Sequence, residues 1–352
     1  MSPGKHRDVG YYIRTAQGKM ADAQRAQGGL GEHHSTDYYG EHGTRPAVWM
    51  VAGQDTARVA ELFGLTAAQA AGGAADLAVV ERWIDEGIAP SGASGRAFGR
   101  RDNHFYDVTI AVPKSVSLML ELGADERREK MLGIIREGAQ EGLNWLAETA
   151  AFTRVHNAVS GQKDFQKLPG LVGAAFLHET NRHGEPHVHI HLLVGRQVRA
   201  DGTMAAVDKY EFGEAMKTAG IIAQAHWRRD LHLAYGVEWT EVDENGQADI
   251  AGISRESIEA WSTSRTRLMD WAMGNLETVE EGQLTVAQTA AAQKAVRPPK
   301  PEELSSETLR AGWRADPRGL KLDMDAHRRA KQARIEYAKK FWGAVNTSGR
   351  QP

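Results

Sequence analysis

Apolar and polar residues alternate most regularly near the middle of the chain, over residues 186–194. This stretch reads Pro-His-Val-His-Ile-His-Leu-Leu-Val, and alternation over such a length predicts a half-buried β-strand. Because successive side chains of a strand point to opposite faces, His187, His189 and His191 share one face. We expect the apolar residues between them to pack into a core.

A second apolar run, residues 168–177, precedes this strand and ends at His178. The residues between the two runs, 181–186, combine polar side chains with Gly and Pro, which is typical of a hairpin turn. Folding the hairpin brings His178 back beside His189 and His191. The sequence therefore predicts three imidazoles in one cluster, one from the first strand and two from the second.

Neutral imidazole is a common ligand for divalent metals. Three protein nitrogens leave coordination positions open for water or a phosphate oxygen, as in catalytic rather than closed structural sites. The competing interpretation is a partly exposed strand whose histidines only form local hydrogen bonds. We favour metal binding, because three imidazoles on one strand face rarely arise by chance.

Other segments follow the same rules. Residues 105–112 alternate as a strand, and residues 238–253 predict a hairpin through Asn245-Gly246. Longer periodic segments predict helices, several of them with a polar N-cap or a terminal glycine, over residues 55–64, 66–88 with a break at 72–73, 124–152, 208–235 and 254–273. Strands separated by helices and hairpins indicate an α+β fold with an antiparallel sheet.

Composition narrows the function. The chain has 352 residues, 41% hydrophobic and 25% charged, as in ordinary globular proteins. There is no cysteine, which excludes disulfides, thiolate ligands and a cysteine nucleophile. The net charge of −3 does not itself indicate nucleic-acid binding, so any DNA surface has to be a local basic patch. With no secretory or membrane-spanning apolar run, we expect a cytoplasmic protein and no membrane partner.

The domain organisation is read from a change in composition near residue 295. The Pro-rich residues 297–301 predict a linker, and a basic helix is expected over 327–340. We therefore expect one domain over residues 1–295 and a basic helical extension over 296–352. The sequence has no G-x-x-x-x-G-K-[ST] motif, which a helicase would carry. We therefore expect either a domain that stands alone or a piece of a longer protein.

Several motifs occur together in an order typical of one family. They are Tyr11-Tyr12, Asp37-Tyr38-Tyr39, the strand of Asp107 with Pro113–Ser117, Phe176–Arg182, Pro186–His191, and the sequence IEAWSTSR at Ile258–Arg265. From about residue 11 to residue 313 the chain resembles the MobF-type conjugative relaxases of the HUH superfamily. The resemblance implies a palm-like central antiparallel sheet flanked by helices, with C-terminal helical "fingers" that close over DNA. This chain differs from the family in residues 1–10, a short polar segment where family members usually carry an apolar strand.

The resemblance also implies an activity. Such enzymes nick one strand of DNA at a transfer origin by transesterification and retain a 5′-phosphotyrosyl link. The resemblance assigns His178, His189 and His191 as ligands of one divalent metal ion. Relatives are usually discussed as Mg or Mn enzymes, whereas three imidazoles also suit Zn, Co or Ni. The implied partner is single-stranded DNA of a transfer origin, with relaxosome accessory proteins and a coupling protein as further candidates.

The nucleophile implied by the resemblance is a tyrosine. The family pattern favours Tyr11, with Tyr12 as its nearest substitute, while Tyr38 and Tyr39 match the second pair, which attacks again to end transfer. Tyrosine pairs that merely pack at a domain edge are the alternative.

Asp107 matches the family's acidic residue beneath the metal, where it would orient a ligand imidazole or accept the tyrosine proton. Lys114, Arg154 and Arg182 are candidates for phosphate contacts. His187 would be a fourth ligand, a donor to a ligand or an exposed imidazole, and we favour the last two. Three tryptophans are candidates for base stacking but fit a helical core better: Trp227, Trp261 and Trp313.

Three other functions remain open. A rolling-circle replication initiator shares the histidine and tyrosine chemistry, but IEAWSTSR and the two tyrosine pairs argue against it. A non-catalytic single-stranded DNA-binding module would keep the fold without nicking. A metal hydrolase would use water as the nucleophile and leave no protein on the product.

Overall fold

A five-stranded antiparallel sheet forms the centre of the fold. The structure, a computed structural model, describes residues 2–4, 45–100, 102–276, 284–298 and 305–348. The strands in these ranges are β1 (Ser2–Gly4), β2 (Val48–Gly53), β3 (Phe105–Ala111), β4 (Phe152–His156), β5 (Lys163–Lys167), β6 (Gly170–Thr180), β7 (Pro186–Val194), β8 (Gln197–Val198) and β9 (Met204–Ala205). The sheet has the order β1-β3-β7-β6-β2 and its neighbours are all antiparallel. Two small ribbons, β4-β5 and β8-β9, lie outside it.

Helices cover both faces of this sheet. Those in the described ranges are α1 (Thr56–Phe63), α2 (Ala67–Ala70), α3 (Leu77–Glu86), α4 (Lys114–Leu122), α5 (Arg128–Thr149), α6 (Lys209–Tyr235), α7 (Arg255–Ala260), α8 (Thr263–Asn275), α9 (Val286–Val296), α10 (Ser306–Ala315) and α11 (Met324–Ser348). The predicted α+β class, a central antiparallel sheet flanked by helices, is confirmed. Within the described ranges, none of these helices combines the length and apolar character that crossing a membrane requires.

One face of the sheet packs against the long helices α5 and α6. Val108, Ile190 and Leu192 belong to the same buried cluster as Leu143 of α5 and Trp227 of α6. These strand residues sit at alternate positions, as the periodicity predicts for a half-buried strand. The apolar residues between the histidines therefore anchor β7 in the main core.

The other face is apolar along only part of its length. Trp49, Phe63 and Trp83 form a fully buried aromatic cluster there, with ring centroids 5.1–5.8 Å apart. Leu193 of β7 belongs to this cluster. His191 lies two residues before Leu193 on the same strand and therefore on the same face. This face thus becomes polar towards the hairpin turn that joins β6 and β7.

Local capping signals set several helix bounds as predicted. Asp55 caps α1, which ends at Gly64 in the left-handed region (φ 90°). Asp208 caps α6, which ends at Gly236 (φ 65°). Glycine favours such positive φ values because it lacks a Cβ. The break predicted at residues 72–73 separates α2 from α3.

Several expectations about the elements differ from the structure. The helix expected over 124–152 is shorter, because residues 125–127 are 3₁₀ and Phe152 begins β4. The hairpin expected over 238–253 keeps its turn, and backbone hydrogen bonds such as Thr240 N–H to the Asp249 carbonyl join its arms. The arms form an isolated bridge, Trp239 to Ile250, instead of a regular ladder. The short polar N-terminus, in which no element was expected, contains β1 at the sheet edge.

The helix expected over 254–273 is interrupted at residues 261–262. The backbone N–H of Thr263 donates to the Glu185 carboxylate instead of continuing the α7 ladder. The side chain of Trp261 is buried and donates to the Gly319 carbonyl. Tertiary contacts thus override the local helical pattern.

The three tryptophans considered for base stacking all belong to the core. Trp227, Trp261 and Trp313 are at most 4% exposed. The core interpretation is therefore confirmed for all three.

Gly138 of α5 provides a test of this packing. A Cβ at residue 138 would lie 2.1 Å from Nε1 of Trp227, whereas a Cβ at Gly133 of the same helix meets nothing within 4 Å. We expect Gly138→Ala to lower the free energy of unfolding by about 1–3 kcal/mol through overpacking. Gly133→Ala should raise it by roughly 0.5–1 kcal/mol through helix propensity. Urea unfolding of both variants checks this, and a stabilised Gly138→Ala would contradict the packing described.

Candidate metal and catalytic site

The hairpin of β6 and β7 brings three histidines together. His178 lies directly opposite His189 in the antiparallel register, and Phe176 lies opposite His191. Directly opposite residues share a face of the sheet, so His178, His189 and His191 all project from the same side. The structure therefore brings together the three imidazoles that the sequence analysis placed in one cluster.

The three rings are close and largely shielded from solvent. Their centroids lie 4.8–5.2 Å apart, and one ring nitrogen from each lies within 4.8 Å of the others. His178 is 7% exposed and His189 9%, while the His191 side chain is 15% exposed. A small cation could contact all three nitrogens at once.

Asp107 of β3 fixes the orientation of His191. The Nδ1 atom of His191 lies 2.8 Å from Oδ1 and 3.0 Å from Oδ2 of Asp107. Thr109, the β3 partner of His191 in the register, donates its hydroxyl to Asp107 Oδ1 at 3.2 Å. A carboxylate only accepts, so Nδ1 of His191 carries the proton and Nε2 keeps its lone pair.

His189 is oriented by the backbone of its own strand. Its Nδ1 lies 2.8 Å from the carbonyl oxygen of His187. A carbonyl oxygen also only accepts, so Nδ1–H donates and Nε2 of His189 is left as the acceptor nitrogen. His189 and His191 therefore both present Nε2 as a ligand atom.

Electrostatics favour the neutral form of His187 and His189. Burial lowers the pKa of His189 well below its usual value, and the neighbouring imidazoles lower it further. Burial likewise lowers the pKa of His187 to about 4, with Lys114 contributing. Since metals bind the neutral imidazole, His189 is in the ligating form at neutral pH.

The donor set fits one divalent metal ion. Three ring nitrogens converge from two strands, and two of the rings, His189 and His191, have a fixed tautomer. The Asp107 carboxylate holds one of these ligands in place, an arrangement common at metal sites. Three protein donors leave coordination positions for substrate oxygens. The described part of the chain contains one further cluster of this kind, Glu137, His226 and Asp230 on α5 and α6.

His187 shares the strand face but does not join the cluster. Its ring centroid lies 4.9 Å from that of His189, and its backbone oxygen is what positions His189. The ring is partly buried rather than freely exposed. His187 therefore contributes to the geometry of the site through its main chain.

The predicted basic residues occupy different places. Lys114, at the start of α4, donates to the Pro186 carbonyl at 2.7 Å, and burial lowers its pKa to about 8. Arg182 lies in the hairpin turn, where its guanidinium contacts the Pro298 carbonyl at 3.4 Å.

Arg154 lies on the separate β4-β5 ribbon. It donates to Asp208 at 2.5 Å and stacks over Phe165, with 4.7 Å between the guanidinium carbon and the ring centroid. The structure thus does not gather the three basic residues into one cluster. Their phosphate contacts stay a prediction.

The tyrosine pairs lie outside the described residues. Tyr11, Tyr12, Tyr38 and Tyr39 all fall within 5–44. Their roles therefore stay predictions from the sequence.

Sequence reasoning missed the residues that hold the hairpin turn. Glu185 is 1% exposed, and its carboxylate accepts from the backbone and hydroxyl of Thr263. Trp313 donates to the Gly184 carbonyl at 2.6 Å. One signal was available, since Thr263 lies within IEAWSTSR, but nothing local connects that motif with a turn 78 residues earlier.

Fold and site together define an α+β domain with a candidate metal site of three histidines. The chain matches the TrwC relaxase family over residues 7–320. It belongs to that family.

Individual relatives agree with this assignment. The multifunctional conjugation protein TraI of Escherichia coli is 26% identical over 289 residues, 79% of this chain and 15% of the relative. The chain thus spans only a small part of that relative. A metal-free complex of the conjugative relaxase TrwC with oriT DNA is 24% identical, with a TM-score of 0.62 over 84% of this chain and 94% of the other. A copper-bound TrwC complex is 23% identical, with a TM-score of 0.65 over 88% and 94%.

Replacing Asp107 tests whether its hydrogen bond to His191 contributes to metal binding. We expect Asp107→Asn to weaken Mn²⁺ binding by on the order of 10–100-fold, because the amide no longer fixes the proton on Nδ1 of His191. Calorimetric titration measures the dissociation constant, in a His226→Ala background that removes the second cluster. Asp102→Asn is the matched control, since Asp102 pairs with Arg96 and Arg196 instead. Equal affinities in both variants would contradict the role of Asp107.

Proposed function

We propose that this chain nicks and rejoins one strand of DNA at a transfer origin. The observation that carries the proposal is the cluster of three imidazoles, one of them oriented by Asp107, in a member of the TrwC relaxase family. The TrwC neighbours are described as complexes with oriT DNA, which supports single-stranded transfer-origin DNA as the substrate. A cytoplasmic location follows from that substrate, and accessory and coupling proteins stay candidates.

The proposed reaction is a transesterification with a tyrosine nucleophile. The phenol oxygen of Tyr11, or of Tyr12 in its place, bonds to the scissile phosphorus while the bond from phosphorus to the 3′-oxygen breaks. The phenol proton is lost and the 3′-oxygen gains one, so protons balance. One phosphodiester replaces another, which keeps the bond energy for rejoining by the reverse step.

The chain's own residues prepare the phosphate for attack. His178, His189 and His191 would hold one divalent ion, which when bound offsets the charge of a non-bridging phosphate oxygen. The Asp107 carboxylate already accepts a hydrogen bond from Nδ1–H of His191. We therefore assign Asp107 to positioning that ligand rather than to accepting the tyrosine proton. The all-nitrogen donor set suits Zn, Co or Ni better than Mg, whereas the family resemblance favours Mg or Mn. We propose Mn as the first ion to test.

The β4-β5 ribbon is the best candidate for a DNA contact outside the centre. Phe165 is 52% exposed and lies under Arg154, and Lys167 lies 4.5 Å from the Phe152 ring centroid. Exposed aromatic rings beside cations suit bases and phosphates. We propose that Arg154 contributes here, whereas Lys114 acts on the hairpin turn.

The tyrosine prediction is tested by a covalent-adduct assay. Labelled single-stranded oligonucleotides covering candidate transfer origins are incubated with the protein and Mn²⁺ and resolved on a denaturing protein gel. We expect a labelled adduct that EDTA prevents, and that Tyr11→Phe/Tyr12→Phe abolishes because no phenol oxygen remains to attack. Tyr38→Phe/Tyr39→Phe is the matched control and should retain the first adduct.

The same assay separates the alternatives. Cleavage without an adduct would indicate a hydrolase that uses water. Binding without cleavage of any origin would indicate a DNA-binding module. An adduct that persists in the first double variant would place the nucleophile elsewhere.

A ligand variant tests the metal dependence. We expect His189→Ala to slow adduct formation by on the order of a hundredfold or more, because charge compensation worth several kcal/mol is lost. Oligonucleotide affinity, measured by fluorescence anisotropy, should change little since the DNA contacts remain. His232→Ala is the control, because this histidine lies on α6, outside both the cluster and the ribbon. Undiminished nicking by His189→Ala would rule out the proposed centre.

A further inference from the structure

The turn that joins the ligand-bearing strands is held by residues from distant parts of the chain. We name β6, the turn 181–185 and β7 the histidine hairpin. The turn itself is closed locally: the Asn181 side chain accepts from the backbone N–H groups of His183 and Glu185 at 2.9 and 3.1 Å. The further contacts come from α4, α8, α10 and Arg318.

Glu185 is the centre of these contacts. Its buried carboxylate accepts from the Thr263 hydroxyl at 2.6 Å, the Thr263 backbone N–H at 3.2 Å and Arg318 at 3.2 Å. Asn181 donates a further hydrogen bond at 3.0 Å. The Arg318 guanidinium also stacks on Trp261, with its central carbon 3.7 Å from the ring centroid. A buried carboxylate with this many donors has one favourable position.

The main chain of the turn is held on both sides of Glu185. The indole N–H of Trp313 donates to the Gly184 carbonyl at 2.6 Å, and the Trp313 ring is 4% exposed. Lys114 donates to the Pro186 carbonyl at 2.7 Å. Three consecutive residues, the last two of the turn and the first of β7, are therefore held by elements that lie outside the histidine hairpin.

A second attachment lies next to a ligand. Glu179, which follows His178, is 2% exposed and accepts from Arg128 of α5 and from the Ser306 hydroxyl of α10. Arg310 of α10 pairs with Glu121 at 3.1 Å. Helix α10 thus contacts the histidine hairpin at both the β6 strand end and the turn.

We propose that Thr263 and the segment from Ser306 to Arg318 position the histidine hairpin and thereby raise its affinity for the metal. Metal–ligand distances must be right to within about 0.2 Å, and an antiparallel pair beyond its last ladder bond is free to twist. Contacts that fix the turn remove that freedom before the ion binds. The inference rests on the proposed function, because it takes His178, His189 and His191 as the ligands.

The test uses tryptophan variants of the full chain. Trp313→Phe removes the indole donor to Gly184 while keeping an aromatic ring. Trp227→Phe is the matched control, because Trp227 is equally buried and also donates to a carbonyl, that of Ile135 at 3.1 Å. Calorimetric titration with Mn²⁺, in the His226→Ala background, gives the dissociation constant of each.

We expect Trp313→Phe to weaken Mn²⁺ binding by about tenfold, at the lower end of the range for outer-shell groups. Trp227→Phe should stay within about twofold of the parent even where it lowers thermal stability. With Co²⁺, the visible spectrum of Trp313→Phe should also change, because the ligands are less uniformly placed. Equal affinities for Trp313→Phe and its parent overturn the proposal, and so does equal weakening by both substitutions.

A threonine series makes the test independent of how Trp313→Phe folds. Thr263→Val removes the hydroxyl that donates to Glu185, and Thr263→Ser restores it. Weaker binding by the valine variant and recovery by the serine variant support positioning, whereas equal affinity in the two overturns it. If the parent protein binds no metal, the proposed function fails instead, so the two failures are distinguishable.

Discussion

The register between β6 and β7 is the constraint on which the site depends. With His178 opposite His189, three imidazoles project from one face. A slip of one residue would turn the β7 histidines to the face that α5 and α6 cover, and would bring Ile190 out of the core. The core therefore selects the register that assembles the ligands. Packing reinforces it at Gly173, two residues before Ala175, which is the register partner of Leu192. A Cβ at residue 173 would lie 2.5 Å from Leu192 Cδ1, so that only glycine fits beside this side chain.

The hairpin was predictable because its signals are local. The alternation of apolar and polar residues predicts β7, and Gly184 and Pro186 predict the turn before it. Pairing of the two strands across that turn predicts which residues lie beside His178. The bounds of α6 were likewise predictable, since Asp208 and Gly236 act within one helical turn of its ends. The interruption before Thr263 was not, because its cause is a carboxylate 78 residues away. The contacts of Trp313 and Arg318 with the turn were unpredictable for the same reason, because these residues are also far from the turn in sequence.

The position of Asp107 shows where sequence and structure contribute separately. Its place on a strand was predicted from alternation, and its role from the family resemblance. Only the sheet order, with β3 beside β7, places it 2.8 Å from Nδ1 of His191. Strand order depends on how the helices connect and pack, which periodicity does not encode. Pairing of Thr109 with His191 then puts Asp107 within reach of the same ring.

The buried ion pairs beside the hairpin make sense as positioning devices. Glu121, Arg128, Glu179 and Arg310 lie almost wholly inside the protein, and burial together with the charge of Glu179 raises the pKa of Glu121 to about 7. Replacing such groups by apolar residues of similar volume often costs no stability, since removing charges from water offsets their attraction. Directional contacts, however, fix angles that an apolar contact leaves free. A chain that must hold His178 in one place therefore gains from a charged neighbour at residue 179 what a leucine could not provide.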